Sequence, residues 1–203
     1  MSHYVVLVIG DCPEEQLEPF DENLAVEPYI VGEVSEKEQQ RMLEFYRKER
    51  SSNHETFDAC YAEYGNDWDG NRCKKENGVW VKYSTYNPDS KWDWYSLGGR
   101  WSGRFIKLKE GAEGIVGECG AFGNSVGVDQ ALKGDIDFEN IDKTDFIPYA
   151  VLYEGEWISR GDMGWWGIPL TEHYTDKDWE DKVWELIDST SDDTLFSFYD
   201  LHI

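Results

Sequence analysis

His3-Tyr-Val-Val-Leu-Val-Ile9 is a continuous β-branched and apolar run, closed by Gly10-Asp-Cys-Pro13. A strand sends successive side chains to opposite faces, so a run that is apolar at every step needs cover on both. The run therefore predicts a central strand, and the rest of the chain must supply two covering layers. Residues 14–34 are acidic and broken by Pro19 and Pro28, which predicts a loop with a short strand near 29–34. Ser35-x-x-Glu38 has the form of a capping box and opens a helix to about Arg50, with Met42, Leu43 and Tyr46 on one face. A second helix is expected over 55–64, ended by Gly65, and the pairs Gly65-Asn66, Asp69-Gly70 and Asn77-Gly78 make 65–78 turn-rich.

Strands are predicted again at 79–84 and 92–97. Gly98-Gly99 reads as a tight hairpin turn leading into a third strand over 100–108. Glycine then recurs at every third position, at Gly111, Gly114, Gly117, Gly120 and Gly123. Five such triplets without proline cannot make a triple helix, so 110–128 reads as a mobile surface loop, or one that orders over a ligand. A helical turn is expected over 129–132, and a hairpin from 146–153 and 156–160. Thr175 caps a helix over 176–189 with Trp179, Val183, Leu186 and Ile187 at core spacing, and 194–202 reads as a last strand. This order implies the α+β class: one domain over 1–203 with a mostly antiparallel sheet and helices on one side. A ferredoxin-like core with insertions fits it, 35–78 being a helical insertion.

Ten Trp, twelve Tyr and nine Phe at a mean hydropathy of -0.66 distinguish the chain from disordered polar sequences, which are poor in aromatics. No apolar run is long enough for a membrane span, and no basic, then apolar, leader opens the chain. Cys12, Cys60, Cys73 and Cys119 are scattered, without ligand spacing, so no metal or cofactor is implied. Reduced thiols in a cytoplasm are the expectation.

The net charge of -23 is uneven. Residues 11–69 carry net -12 and residues 134–203 net -14, whereas residues 70–133 carry net +3. Such a field opposes direct nucleic-acid binding except locally at the basic segment, and it attracts basic proteins. The plainer reading is that the acids keep an aromatic-rich domain in solution.

Three clusters are candidates for chemistry. In Ser90-Lys-Trp-Asp-Trp-Tyr…Gly98-Gly-Arg-Trp-Ser-Gly-Arg-Phe105, a strand from residue 100 would put Arg100, Ser102 and Arg104 on one face. Two guanidinium groups there suit a phosphate or carboxylate, while Lys91, Trp92, Trp94 and Trp101 would supply charge and stacking for a nucleotide-like ligand. Alternatively the aromatics are core and the arginines pair with the chain's own carboxylates. Arg160-Gly-Asp-Met-Gly-Trp-Trp-Gly167 reads as a tight loop that places Trp165 and Trp166, as ligand contacts or as core plugs. Lastly, His3 opens the first strand and His202 closes the last. If those strands are antiparallel neighbours, the two imidazoles meet beside Asp200. With Arg100 they would form an acid–base site for a phosphoester.

Several of these pieces together resemble a family of small, mostly uncharacterised bacteriophage and prophage proteins. They are Ser2-His-Tyr-Val-Val-Leu-Val-Ile-Gly10, Glu15-Gln-Leu-Glu-Pro-Phe20 with Glu22-Asn-Leu24, and Lys91-Trp-Asp-Trp-Tyr95…Gly98-Gly-Arg-Trp101. Asp129-Gln130 with Lys133-Gly-Asp-Ile-Asp137, Met163-Gly-Trp-Trp-Gly167 and Asp200-Leu-His-Ile203 complete the likeness. It implies a phage accessory protein in the cytoplasm of an infected host. The leading expectation is counter-defence by binding, either to a host protein with a basic surface or to a small anionic nucleotide signal. The rival is a nucleotide or phosphoester hydrolase or transferase using His3, Arg100, Asp200 and His202.

Overall fold

The computed structural model describes residues 2–118, 120, 126–163 and 169–203. Where one domain is expected from sequence, the chain divides into two compact units. A sheet unit comprises Met1–Leu24 and Asn87–Ile203, and an inserted unit comprises Ala25–Tyr86. The expected insertion at 35–78 is thus wider, and it carries a sheet and a core of its own.

In the sheet unit, β1 (His3–Ile9) is central. It pairs antiparallel with β11 (Leu195–His202) along its whole length, from His3↔His202 to Ile9↔Phe196. On its other side it runs parallel to β7 (Ala150–Tyr153), which turns through Glu154 and Gly155, both at positive φ, into β8 (Glu156–Ser159). The outer edge of β11 is shared in line by two short strands, β5 (Trp94–Leu97) and β6 (Gln130–Leu132). The expected helical turn at 129–132 is therefore a strand, because β11 offers its free edge to that segment. A separate ribbon joins β9 (Gly161–Met163) to β10 (Pro169–Glu172).

Both faces of β1 are covered, as its composition requires. Val5, Leu7 and Ile9 pack with Phe196, Phe198, Phe105 and Phe146 under α4 (Asp176–Ser189), which contributes Trp179, Val183, Leu186 and Ile187. The Thr175 side chain caps α4 by accepting from the Asp178 amide, and Asp176 and Asp178 suit the positive end of the helix. Tyr4, Val6 and Val8 face the other way, onto Tyr199, Leu201, Trp92 and Leu17. Leu17 belongs to the five-residue α1 (Pro13–Leu17), so helical cover is not confined to one side. Each fully buried side chain of β1 contributes roughly 1.5–3 kcal/mol.

The inserted unit is a three-stranded antiparallel sheet in the order β2-β4-β3 with two helices. Its elements are β2 (Tyr29–Glu33), α2 (Glu36–Arg50), α3 (Phe57–Asp69), β3 (Cys73–Glu76) and β4 (Val79–Ser84). The capping box is complete: Ser35 accepts from the Glu38 amide, and Glu38 accepts from the Ser35 amide. Met42, Leu43 and Tyr46 of α2 close on Phe57, Cys60 and Tyr61 of α3, with Val34 and Cys73. The second helix does not stop at Gly65. It continues to Asp69 and ends at Gly70, whose φ is +69°. Gly65 serves close packing instead, since a Cβ there would lie 2.8 Å from the Tyr61 ring. The strand expected over 100–108 is absent: Gly99–Trp101 is a single 3-10 turn, followed only by isolated bridges at Ile106 and Leu108.

Candidate acid–base site

The full-length β1–β11 ladder sets His3 directly opposite His202, with ring centroids 5.0 Å apart and planes at 67°. They lie at one end of the sheet, on the strand face that continues from Val5, Leu7, Phe196 and Phe198. Each ring is held at Nδ1 by a carboxylate. His3 Nδ1 is 2.8 Å from Asp200 Oδ1, and His202 Nδ1 is bonded to Asp93 Oδ1. Engagement of Nδ1 fixes the ring and leaves Nε2 to do any further chemistry. His202 Nε2 is shielded from solvent and has no hydrogen-bond partner among the described residues. An unsatisfied buried polar atom costs about 1–3 kcal/mol, which a ligand atom reaching it would recover.

Asp200 is 1% exposed, and its second oxygen accepts the Arg100 amide at 2.9 Å. A second buried carboxylate, Asp129, sits nearby along the same turn at 0% exposure. It accepts Ser102 Oγ at 2.6 Å, the Gly103 amide at 2.7 Å and the Gly117 amide at 2.8 Å. The segment 98–103 is wrapped between these two acids. A Cβ on Gly98 would fall 2.3 Å from Asp129 Oδ2, and one on Gly99 would fall 2.4 Å from Asp200 Cβ. Both glycines have positive φ, +69° and +50°. This is why Gly98-Gly99 makes no hairpin: the backbone turns inward to feed amides to carboxylates.

The same turn anchors the Gly-rich segment, whose described part is bonded in rather than free. The Ile115 amide donates to the Gln130 carbonyl and the Asp129 amide to the Ile115 carbonyl, both at 2.8 Å. The Gly120 amide donates to the Gly99 carbonyl, also at 2.8 Å. Gly117 passes so close to β5 that a Cβ would lie 1.9 Å from the Leu97 carbonyl oxygen. Gly123 lies outside the described residues.

The expected residues are thus partly brought together. His3, His202, Asp200 and the backbone of Arg100 meet, and the Arg100 guanidinium makes no ion pair among the described residues. Arg100, Ser102 and Arg104 share no strand face: Ser102 is buried on Asp129, while Arg104 is exposed. Trp92 is not a ligand contact but core, its indole N–H donating to the Leu17 carbonyl at 3.1 Å. Trp101 packs against the core beneath α4. Lys91 is half-buried, its carbonyl accepts the Tyr4 hydroxyl, and it lines a small cavity of about 90 Å³ with Tyr149 and Trp157. Trp94 alone among these tryptophans fits the expected role: it is 49% exposed and its ring lies edge-on to His3 at 6.2 Å. An open groove of about 580 Å³ runs between Trp94–Leu97 and Val116–Glu118. Trp165 and Trp166, with the Gly164–Gly167 loop, lie outside the described residues.

Asp93 and Asp129 were not among the expected site residues. Asp93 stands inside the Trp-Asp-Trp motif and was obscured by its aromatic neighbours, and Asp129 carries no local signal beyond its place before β6. Among the described residues, no group of three or more His, Cys, Asp or Glu side chains is set to hold a metal ion. No helix among the described residues is long and apolar enough to cross a membrane. No family model, no curated protein and no solved structure matches this chain.

Proposed function

We propose that the sheet unit is a general acid–base catalyst acting on a phosphoester, with a nucleotide as the substrate class. The observation that carries this reading is the pair of carboxylate-held imidazoles with centroids 5.0 Å apart. One neutral imidazole takes the proton of an attacking water or hydroxyl as its oxygen bonds to phosphorus. The other, protonated, gives its proton to the departing ester oxygen as that P–O bond breaks. Asp200 and Asp93 orient the rings and stabilise the imidazolium form. Arg100, without an ion pair among the described residues, is the cation for the phosphoryl oxygens, and the exposed Trp94 ring offers a stacking face for a base.

The test is turnover of bis-p-nitrophenyl phosphate and of 2′,3′-cyclic AMP by the full chain and by His3→Ala, His202→Ala and Arg100→Ala. Turnover with a bell-shaped pH profile is expected, falling about 100-fold or more in either histidine variant. Absence of turnover, or turnover untouched in both folded histidine variants, refutes the proposal.

A second reading is favoured by charge. The inserted unit holds 12 acids and 9 bases, which leaves net -20 on the sheet unit. As a phage accessory protein, the chain would then present a mimic of a nucleic-acid backbone to a basic host protein in a counter-defence role. Capture from host lysate should be released steeply by salt, and a salt-insensitive partner speaks against mimicry.

A further inference from the structure

The inserted unit has a cavity of its own, about 580 Å³, lined from α2, α3 and β4. That is the volume of a site for a small organic molecule. Four acidic or basic groups on its wall are already engaged or screened. Lys82 is ion-paired with Glu38, which also accepts from Ser35. These contacts, led by the Lys82 hydrogen bond, hold the Glu38 carboxyl down at about 2, so it is ionised and neutralised in place. Asp69 accepts the Tyr61 hydroxyl, the Cys73 thiol and the Arg72 amide. Burial and the Asp69 contact push the Cys73 thiol up to about 12, so it stays a neutral donor.

With Lys82 set against Glu38, two arginines stand against the single carboxylate of Asp69, so the wall is net positive, and it is aromatic. Arg41 and Arg72 both line the cavity, and neither guanidinium is ion-paired among the described residues, although the chain carries 42 carboxylates. The Arg41 guanidinium lies 5.8 Å from the centroid of Trp68, and Phe57 adds a second ring to the wall. Two guanidinium groups facing one carboxylate favour an anion, and the rings select a flat one.

We infer that this cavity is a binding site for a planar aromatic anion of mononucleotide size, separate from the acid–base site and independent of its proposed chemistry. Calorimetric titration of the full chain with AMP and with 2-naphthoate, against uncharged adenosine, tests it. At least one of the two anions should bind saturably, and AMP should bind at least tenfold tighter than adenosine. Arg72→Gln and Arg41→Gln should each weaken anion binding about tenfold, with circular dichroism unchanged, whereas Lys107→Gln, at an exposed cation of the sheet unit, should leave it unaltered. The inference falls if neither anion binds, if adenosine matches AMP, or if both arginine variants bind like the parent. It also falls if His202→Asn abolishes binding, which would move the ligand to the sheet unit and leave the acid–base proposal standing.

Discussion

The two units differ in how far along the chain their polar contacts reach. In the inserted unit the polar contacts run from near neighbours, Ser35 with Glu38 and Tyr61 with Asp69, up to Glu38 with Lys82 across 44 residues. In the sheet unit the decisive ones span long stretches of chain. Asp129 reaches Gly103 across 26 residues, Asp200 reaches Arg100 across 100, and His202 reaches Asp93 across 109. One unit closes its contacts within residues 25–86, around an aromatic core. The other is fixed by two buried carboxylates, Asp129 and Asp200, that gather distant amides and one imidazole, His3. The difference teaches where function concentrates: geometry set from far away is rigid and off the local pattern, which is what a constellation of reacting groups needs.

Asp129→Ala strikes this contrast hardest. It strands the Gly103 and Gly117 amides and the Ser102 hydroxyl, and should cost about 3–5 kcal/mol in urea unfolding. A loss below about 1 kcal/mol would show that the carboxylate does not hold the 98–103 turn. Tyr61→Phe is the corresponding cut in the inserted unit. It keeps the ring but removes the acceptor of the Cys73 amide and the donor to Asp69, and about 2 kcal/mol is expected. A cost equal to that of Asp129→Ala would erase the distinction between the units.

The smallest expected effect is a pH dependence. Glu38 is held down to about 2 from 4.5, chiefly by Lys82. Its contribution is therefore present above pH 4.5 and is lost as pH falls through about 2. Lys82→Met should flatten the stability profile over that window, and an unchanged profile would show the pair to be inert.

The same contrast decides how much was legible in the sequence. β1, the capping box of α2, β4 and α4 follow from periodicity and caps that operate within a few residues. So does the turn between β7 and β8. The meeting of His3, Asp200 and His202 was legible too, because it needs only that the first and last strands pair. The segment after Gly98 was misread because Gly-Gly beside a strand has the local signature of a hairpin, while the acids that dictate its path stand 31 and 102 positions beyond Gly98. What the three-residue glycine spacing serves was not legible for a related reason. Gly114, Gly117 and Gly120 are small because the Gln130 carbonyl, the Leu97 carbonyl and the Arg100 backbone press on them. Nothing in a composition count distinguishes that from looseness.

The pairing of His3 with Asp200 sets a timetable for biosynthesis. The partners are 197 residues apart, and β11 must slot between β1 and β5, both made earlier. At a translation rate of about 5–20 residues per second, β1 waits about 10–40 s for the strand that completes it. The inserted unit, whose sheet and core come from residues 25–86 alone, can fold on the ribosome in the meantime. The candidate site is thus completed by the arrival of one late strand, and no nascent chain that lacks β11 carries both imidazoles.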